Sequence, residues 1–272
     1  PVQGGVQMLG KLLKYEFKAT ARIFLPMFGV LILFAIINRF FMSFDVQGIM
    51  SIPFGVSLMV YGAIMVAIFV LTLIVMIQRF YKNLLCDEGY LMFTLPVKTW
   101  QHIATKTITS LAWIIASLVI SLLSVLILSI NSGFWTNMPD HFFQLLSQSF
   151  YAETGISFYA FSGELLLLLI IGSLSSIMTI YAAIAIGQLN QRHKLLAAFG
   201  AYLAINVIIQ IITSVGMYIC SYSQSFNQWI NGLTPVEGWH LLINGGTVYS
   251  LVCTVILYII VQAILKRKLN LE

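Results

Sequence analysis

The chain has 272 residues, 60% of them hydrophobic and only 8% charged, with a mean hydropathy of +0.95. Soluble domains run roughly 45–50% apolar and 25% charged, so composition excludes a soluble globular protein and leaves a polytopic membrane protein. The net charge of +5 is then read by topology and not as a nucleic-acid surface, because Lys and Arg of membrane proteins collect in cytoplasmic loops.

Residues 1–7, PVQGGVQ, precede Met8 and read as a cloning remnant, and Leu271 and Glu272 read as a tag junction. From residue 8 to 22 the spacing predicts an amphipathic helix: Lys11, Lys14, Lys18 and Arg22 share one face, and Leu9, Leu13 and Phe17 take the opposite one. Such a segment lies along the inner membrane surface as a connecting helix. Residues 37–39 offer no small-residue cleavage site, so the first span is expected to stay in the protein.

Six apolar stretches are long enough to cross a hydrocarbon core of about 30 Å, which takes roughly 20 helical residues. They cover about 23–41, 52–77, 107–130, 165–187, 195–220 and 247–265, and a basic tail follows over 266–272. The expected fold is therefore an all-α bundle of six transmembrane helices forming one domain over 23–265, with both termini on one side. Thirteen of the 14 basic residues fall on that side and only Arg39 opposite, which assigns it to the cytoplasm. The outer segments carry Asp45, Asp140, Glu153, Glu164 and Glu237.

No Asp, Glu, Lys or Arg stands near the middle of any span. Ion-coupled carriers keep such groups inside the bundle despite a cost of roughly 2.5–3.5 kcal/mol each, so a secondary transporter is disfavoured. Intramembrane acid–base or metal chemistry is disfavoured too: His102, His141, His193 and His240 are scattered, without ligand spacing. No metal site and no catalytic residue is expected. Cys220 and Cys253 read as small buried hydrophobes rather than a bridge, and Cys86 lies on the reducing side.

The spans do carry small and hydroxyl residues in rows: Ser110, Ser117, Ser121 and Ser124 in the third, Gly172 with Ser176, and Thr179, Ala183 and Gly187 in the fourth. Close helix packing accounts for them. Asn206 and Gln210 share a face of the fifth span, where either a polar pathway or an interhelical hydrogen bond of about 0.6 kcal/mol explains them. The stretch from Gly5 to Leu12 imitates a phosphate-binding loop but ends in Leu and follows no strand, so the chain has no route of its own to ATP hydrolysis.

The loop from Arg79 to Lys106 is the one large charged segment between two long spans. Leu84, Leu85, Leu91, Met92 and Phe93 make it apolar on one side, Asp87 and Glu88 add charge, and Pro96 ends any short helix before re-entry into the membrane. Two uses fit these residues: docking to a soluble partner, or anchoring at the interface through Tyr81, Tyr90, Phe93 and Trp100.

Glu88, then Thr94, Leu95, Pro96 and Val97, then Lys106 resemble the loop pattern of permease subunits of type-2 ATP-binding-cassette (ABC) exporters, with Gly89, Tyr90, Leu91 and Met92 replacing that family's usual Gly-Thr-Leu-Glu. The whole-chain architecture resembles that family too, and the wording of the loop resembles small Gram-positive exporters of amphipathic peptides. Importer permeases match only Phe93 to Pro96.

The resemblance implies a transmembrane permease subunit in the cytoplasmic membrane of a bacterium, paired with a second permease subunit and driven by two copies of an ATPase subunit that holds ATP and Mg. It implies that Leu84, Leu85, Asp87, Glu88, Tyr90, Leu91, Met92, Phe93, Thr94 and Pro96 couple to the ATPase. The short basic loop with Gln191, Arg192, His193 and Lys194 makes a second contact, and Lys11, Lys14, Phe17 and Lys18 belong to the connecting helix. An uncharged interior suits an amphipathic peptide or lipid-like cargo. No nucleic acid and no cofactor in this chain are expected; membrane lipid is the remaining partner. Two alternatives stay open, an ion-coupled carrier and a non-transporting anchor or sensor subunit. The outer segments, 131–163 and 221–246, are rich in aromatics and in Gly or Pro turns, and either cap an exit or anchor at the interface.

Overall fold

Pro96, just ahead of the third span, and the pair Thr234–Pro235, ahead of the sixth, mark where two long helices begin. In the computed structural model, which describes residues 2–42, 51–85, 98–129, 142–190 and 192–267, every regular element is a helix. In chain order these are α1 (Val2–Met42), α2 (Ser51–Leu85), α3 (Thr99–Ser129), α4 (Phe142–Thr154), α5 (Phe158–Gly187), α6 (Lys194–Tyr222), α7 (Gln224–Asn231) and α8 (Pro235–Arg267). Among the described residues, six of them are long and apolar enough to cross a membrane: α1, α2, α3, α5, α6 and α8. The protein is an all-α polytopic membrane protein.

The helices outrun the apolar stretches at several ends. α3 starts at Thr99 because the Gln101 side chain accepts from the Lys98 backbone N–H (3.1 Å) while the Gln101 N–H returns to the Lys98 carbonyl (2.9 Å), a reciprocal cap. α8 starts at Pro235 by the same device. The Glu237 carboxylate accepts from the Thr234 N–H (2.9 Å) and hydroxyl (3.0 Å), and proline takes the first helical position, where its missing N–H costs nothing. The expected outer segments are correspondingly helical over most of their described length.

The amphipathic stretch expected over 8–22 is not a separate element. It continues into the first span as one helix of 41 residues, about 60 Å at 1.5 Å per residue, and residues 2–7 share it. One buried stripe runs along it from Glu16 through Thr20, Phe24, Phe28, Leu31 and Ala35 to Asn38, so nothing near residue 22 breaks the packing face. Pro26 sits in the helix and is exposed. Membrane helices tolerate such a residue because neighbouring groups re-satisfy the freed carbonyl.

The chain forms two compact units, the first holding α1 to α3 and the second α4 to α8. In the first, α1 and α3 run parallel and α2 antiparallel, with Phe24, Phe28, Leu31, Tyr61, Ile68 and Val75 in the core. Polar side chains fasten it at intervals. Trp113 Nε1 donates to Thr20 Oγ1 (2.8 Å), Thr72 pairs with Ser117 (3.2 Å), Tyr61 with Ser124 (2.8 Å), and Asn38 Nδ2 donates to the Ser57 carbonyl (3.3 Å). Ser117, Ser121 and Ser124 of the expected stripe are buried, and two of them bridge to α2. Packing is what this row serves.

In the second unit α5 is the central helix, packed against both α8 and α6. The chain turns from α4 into α5 at Gly155, whose φ of 70° is a left-handed backbone that glycine adopts without strain; its N–H caps the Tyr151 carbonyl at 2.7 Å. From Ile177 to Gly187, α5 is buried almost continuously. A Cβ at Gly187 would stand 2.5 Å from the Ala198 backbone nitrogen, so only glycine lets α6 approach here. Thr179 and Ala183 of the expected small-residue run are buried, whereas Ser176 is exposed and nothing lies close to Gly172. Cys220 and Cys253 are unbridged, but neither is the buried hydrophobe expected: Cys220 is exposed on the protein surface and Cys253 half-buried.

Candidate functional site

The first two turns of α3 are buried on more than one side: Gln101, His102, Ile103, Thr105, Lys106, Thr107 and Thr109 are all below the surface. Six of these seven side chains are polar or charged, so each needs a partner. The threonines at 105 and 107 bond back to carbonyls one turn earlier, Gln101 (2.7 Å) and Ile103 (2.9 Å), as hydroxyls in apolar helices do.

Lys106 finds its partner on α1. Its Nζ lies 2.7 Å from Glu16 Oε2, with the two side chains only 5% and 8% exposed. A charge pair this deep holds only if both members stay, since either alone would be an uncompensated buried ion. Two turns further along both helices, Trp113 stacks on Phe24 (ring centroids 4.4 Å apart, planes 12° from parallel), with Phe17 and Phe28 each at 6.1 Å. The indole N–H is held by Thr20, whose own hydroxyl donates to the Glu16 carbonyl at 2.8 Å. Ion pair, hydroxyl and indole thus form one connected seam between α1 and α3.

Two hollows adjoin the pair. The outer one, about 220 Å³, lies among α1, α2 and α3 and is lined by residues that include Tyr15, Glu16, Arg79, His102, Thr105 and Lys106. The inner one, about 20 Å³, reaches Thr20, Phe24, Met76, Thr109 and Trp113 and shares Glu16, Arg79 and Lys106 with the first. The second unit holds a polar cluster of its own: Glu164 of α5 meets His240 Nδ1 at 2.7 Å and accepts from Asn244 Nδ2 at 3.2 Å, both on α8.

Of the residues expected to dock a soluble partner, Leu84 and Leu85 end α2, while Asp87, Glu88, Tyr90, Leu91, Met92, Phe93, Thr94 and Pro96 lie outside the described residues. Gln191 does too. Arg192, His193 and Lys194 are exposed at the start of α6, where the Arg192 N–H donates to Asn190 Oδ1 at 3.2 Å. Lys11, Lys14 and Lys18 are exposed on α1, and Phe17 is half-buried against Trp113. Asn206 and Gln210 are exposed, and the Asn206 amide donates within its own helix, to the Tyr202 carbonyl at 2.8 Å. Asn206 and Gln210 belong to the second unit and the Glu16–Lys106 seam to the first.

Glu16 is the residue that sequence reasoning missed. It is the single carboxylate among the basic residues of the N-terminal stretch over 8–22. Among the described residues no group of three or more His, Cys, Asp or Glu could hold a metal ion. Comparison of the chain with protein-family models, with curated proteins and with solved structures finds no match.

Proposed function

We propose that this membrane protein is the permease subunit of an ATP-driven ABC exporter in the cytoplasmic membrane of a bacterium. The observation that carries the reading is the Glu16–Lys106 seam, because Lys106 closes the charged loop that begins at Arg79. A force on that loop reaches α3 at its first turns, and the ion pair with the Trp113 clasp passes it to α1. A docking loop attached in this way can move a block of helices, whereas a loop that only anchors at the membrane surface needs no such fastening.

In this reading two permease subunits join two copies of a separate ATPase subunit, which holds the ATP and Mg. ATP-driven closure of the ATPases acts on Leu84 to Pro96, with the loop at Gln191 to Lys194 as a second contact. The permease alternates between inward and outward access. The apolar, largely uncharged spans suit an amphipathic peptide or lipid-like cargo.

The test is copurification from native membranes in mild detergent, comparing wild type with an Asp87→Arg, Glu88→Arg double variant and assaying ATPase activity. The reading predicts an ATPase subunit retained by wild type and lost or uncoupled in the variant. If wild type elutes alone and inactive, the loop is a membrane anchor and the reading fails.

A further inference from the structure

Among the described residues, the outer hollow beside the ion pair carries more positive than negative charge on its wall. Arg79 and Lys106 bring two positive charges to its wall, and among the described residues Glu16 is the one carboxylate on it. That carboxylate is spent on Lys106 at 2.7 Å. Arg79 makes no ion pair with any described residue, although it is only half-exposed. His102 is a buried part of the same wall, and Tyr15 is an exposed one.

A planar guanidinium beside an ammonium is the donor set that binds a tetrahedral phosphate oxygen pair, with two parallel N–H···O contacts from the arginine. At about 220 Å³ the hollow is smaller than the pockets of roughly 300–1,000 Å³ that enclose drug-sized ligands. It suits a single anionic group. Behind it, Thr109 Oγ1 is buried without a hydrogen-bond partner at the wall of the inner hollow. That inner space, about 20 Å³, has room for one water to link the hydroxyl to the charged groups, and none for an acyl chain. The ligand's charged end therefore enters while the rest of it stays outside.

We propose that the hollow between α1, α2 and α3 is a binding site for a phosphate group, held by Arg79 with Lys106. This goes beyond the export reading and does not depend on it. Basic pockets between membrane helices on the cytoplasmic side are where anionic head groups bind, so a lipid phosphodiester is one source and free phosphate the other.

The experiment uses the full chain in nanodiscs, in two arms. In the first, mixed phosphatidylglycerol and phosphatidylcholine discs are analysed by native mass spectrometry for lipid retained on the protein. In the second, pure phosphatidylcholine discs are titrated with inorganic phosphate and followed by phosphorus NMR. Wild type is expected to retain phosphatidylglycerol over phosphatidylcholine, with affinity about tenfold lower in Arg79→Gln, the loss of one charge-assisted contact, and only partly restored in Arg79→Lys, which keeps the charge but loses the paired N–H geometry. Lys82→Gln, an exposed charge one turn along α2, should leave retention unchanged.

Phosphate binding in the second arm, lost in Arg79→Gln while lipid retention shows no preference, supports the site with a soluble source. Equal losses from Arg79→Gln and Lys82→Gln would show diffuse surface charge and overturn it. If Arg79→Gln does not fold, the wild type alone decides: a thermal midpoint raised by phosphatidylglycerol or by phosphate, and raised equally in Lys82→Gln, supports the site. A wild-type midpoint indifferent to both probes overturns it.

Discussion

Lys106 Nζ lies 2.7 Å from Glu16 Oε2 across the seam of two parallel helices, ninety residues apart in sequence and almost fully buried together. Removing one member strands the other as a buried charge, which costs roughly 3–5 kcal/mol, whereas replacing both by apolar residues is close to neutral. Glu16→Gln and Lys106→Met should therefore each lower the thermal midpoint strongly in detergent, and Glu16→Met with Lys106→Met should recover most of the loss. Additive losses in the double variant would mean that the two side chains do not depend on each other.

Trp113 adds a separate fastening, through its stack on Phe24 and its bond to Thr20. Truncation to Ala removes ring and hydrogen bond together and should cost about 3–5 kcal/mol. Trp113→Phe keeps an aromatic ring against Phe24 and should cost only about 1 kcal/mol, the worth of the lost bond. Equilibrium unfolding of the two variants separates these contributions.

The Glu164–His240 contact has the same 2.7 Å length, yet its side chains are 24% and 31% exposed. A partly solvated pair is worth about 0–1 kcal/mol and is weakened by salt. His240→Ala should accordingly shift stability little, far less than Lys106→Met. A large loss on His240→Ala would show that this pair is shielded in the membrane.

Gly187→Ala places a methyl where a Cβ meets the Ala198 nitrogen at 2.5 Å and its Cα at 2.6 Å. Backbone cannot swing aside as a flexible side chain does, so α5 and α6 must separate. The expected result is a lower yield of folded protein and less efficient cross-linking of a cysteine pair introduced at the two facing helix ends. Gly172→Ala, with nothing within 4 Å, is the matched control and should be silent.

The six spans were legible because each is a long apolar run, and hydropathy reports transfer into lipid directly. Their ends were not, because a polar residue counts against a span whether or not it has a partner. Gln101, His102 and Lys106 pushed the expected start of the third span to 107, although packing accommodates them and the helix begins at Thr99. At the sixth span a readable sign, Thr234-Pro235-x-Glu237, was passed over in favour of the apolar stretch from 247. The serine row of the third span was read correctly as packing. The Glu16–Lys106 contact was beyond periodicity, which places each residue on a face of its own helix and cannot say which distant helix will meet it.

The close passage at Gly187 also bears on how the chain is made. Synthesis delivers α5 before α6, and with only a hydrogen in place of a side chain at the turn, the second helix can fold back onto the first as soon as it emerges. The two helices then close into a hairpin whose tightest contact lies next to the turn that joins them. A single methyl group at that position would hold the two helix ends apart.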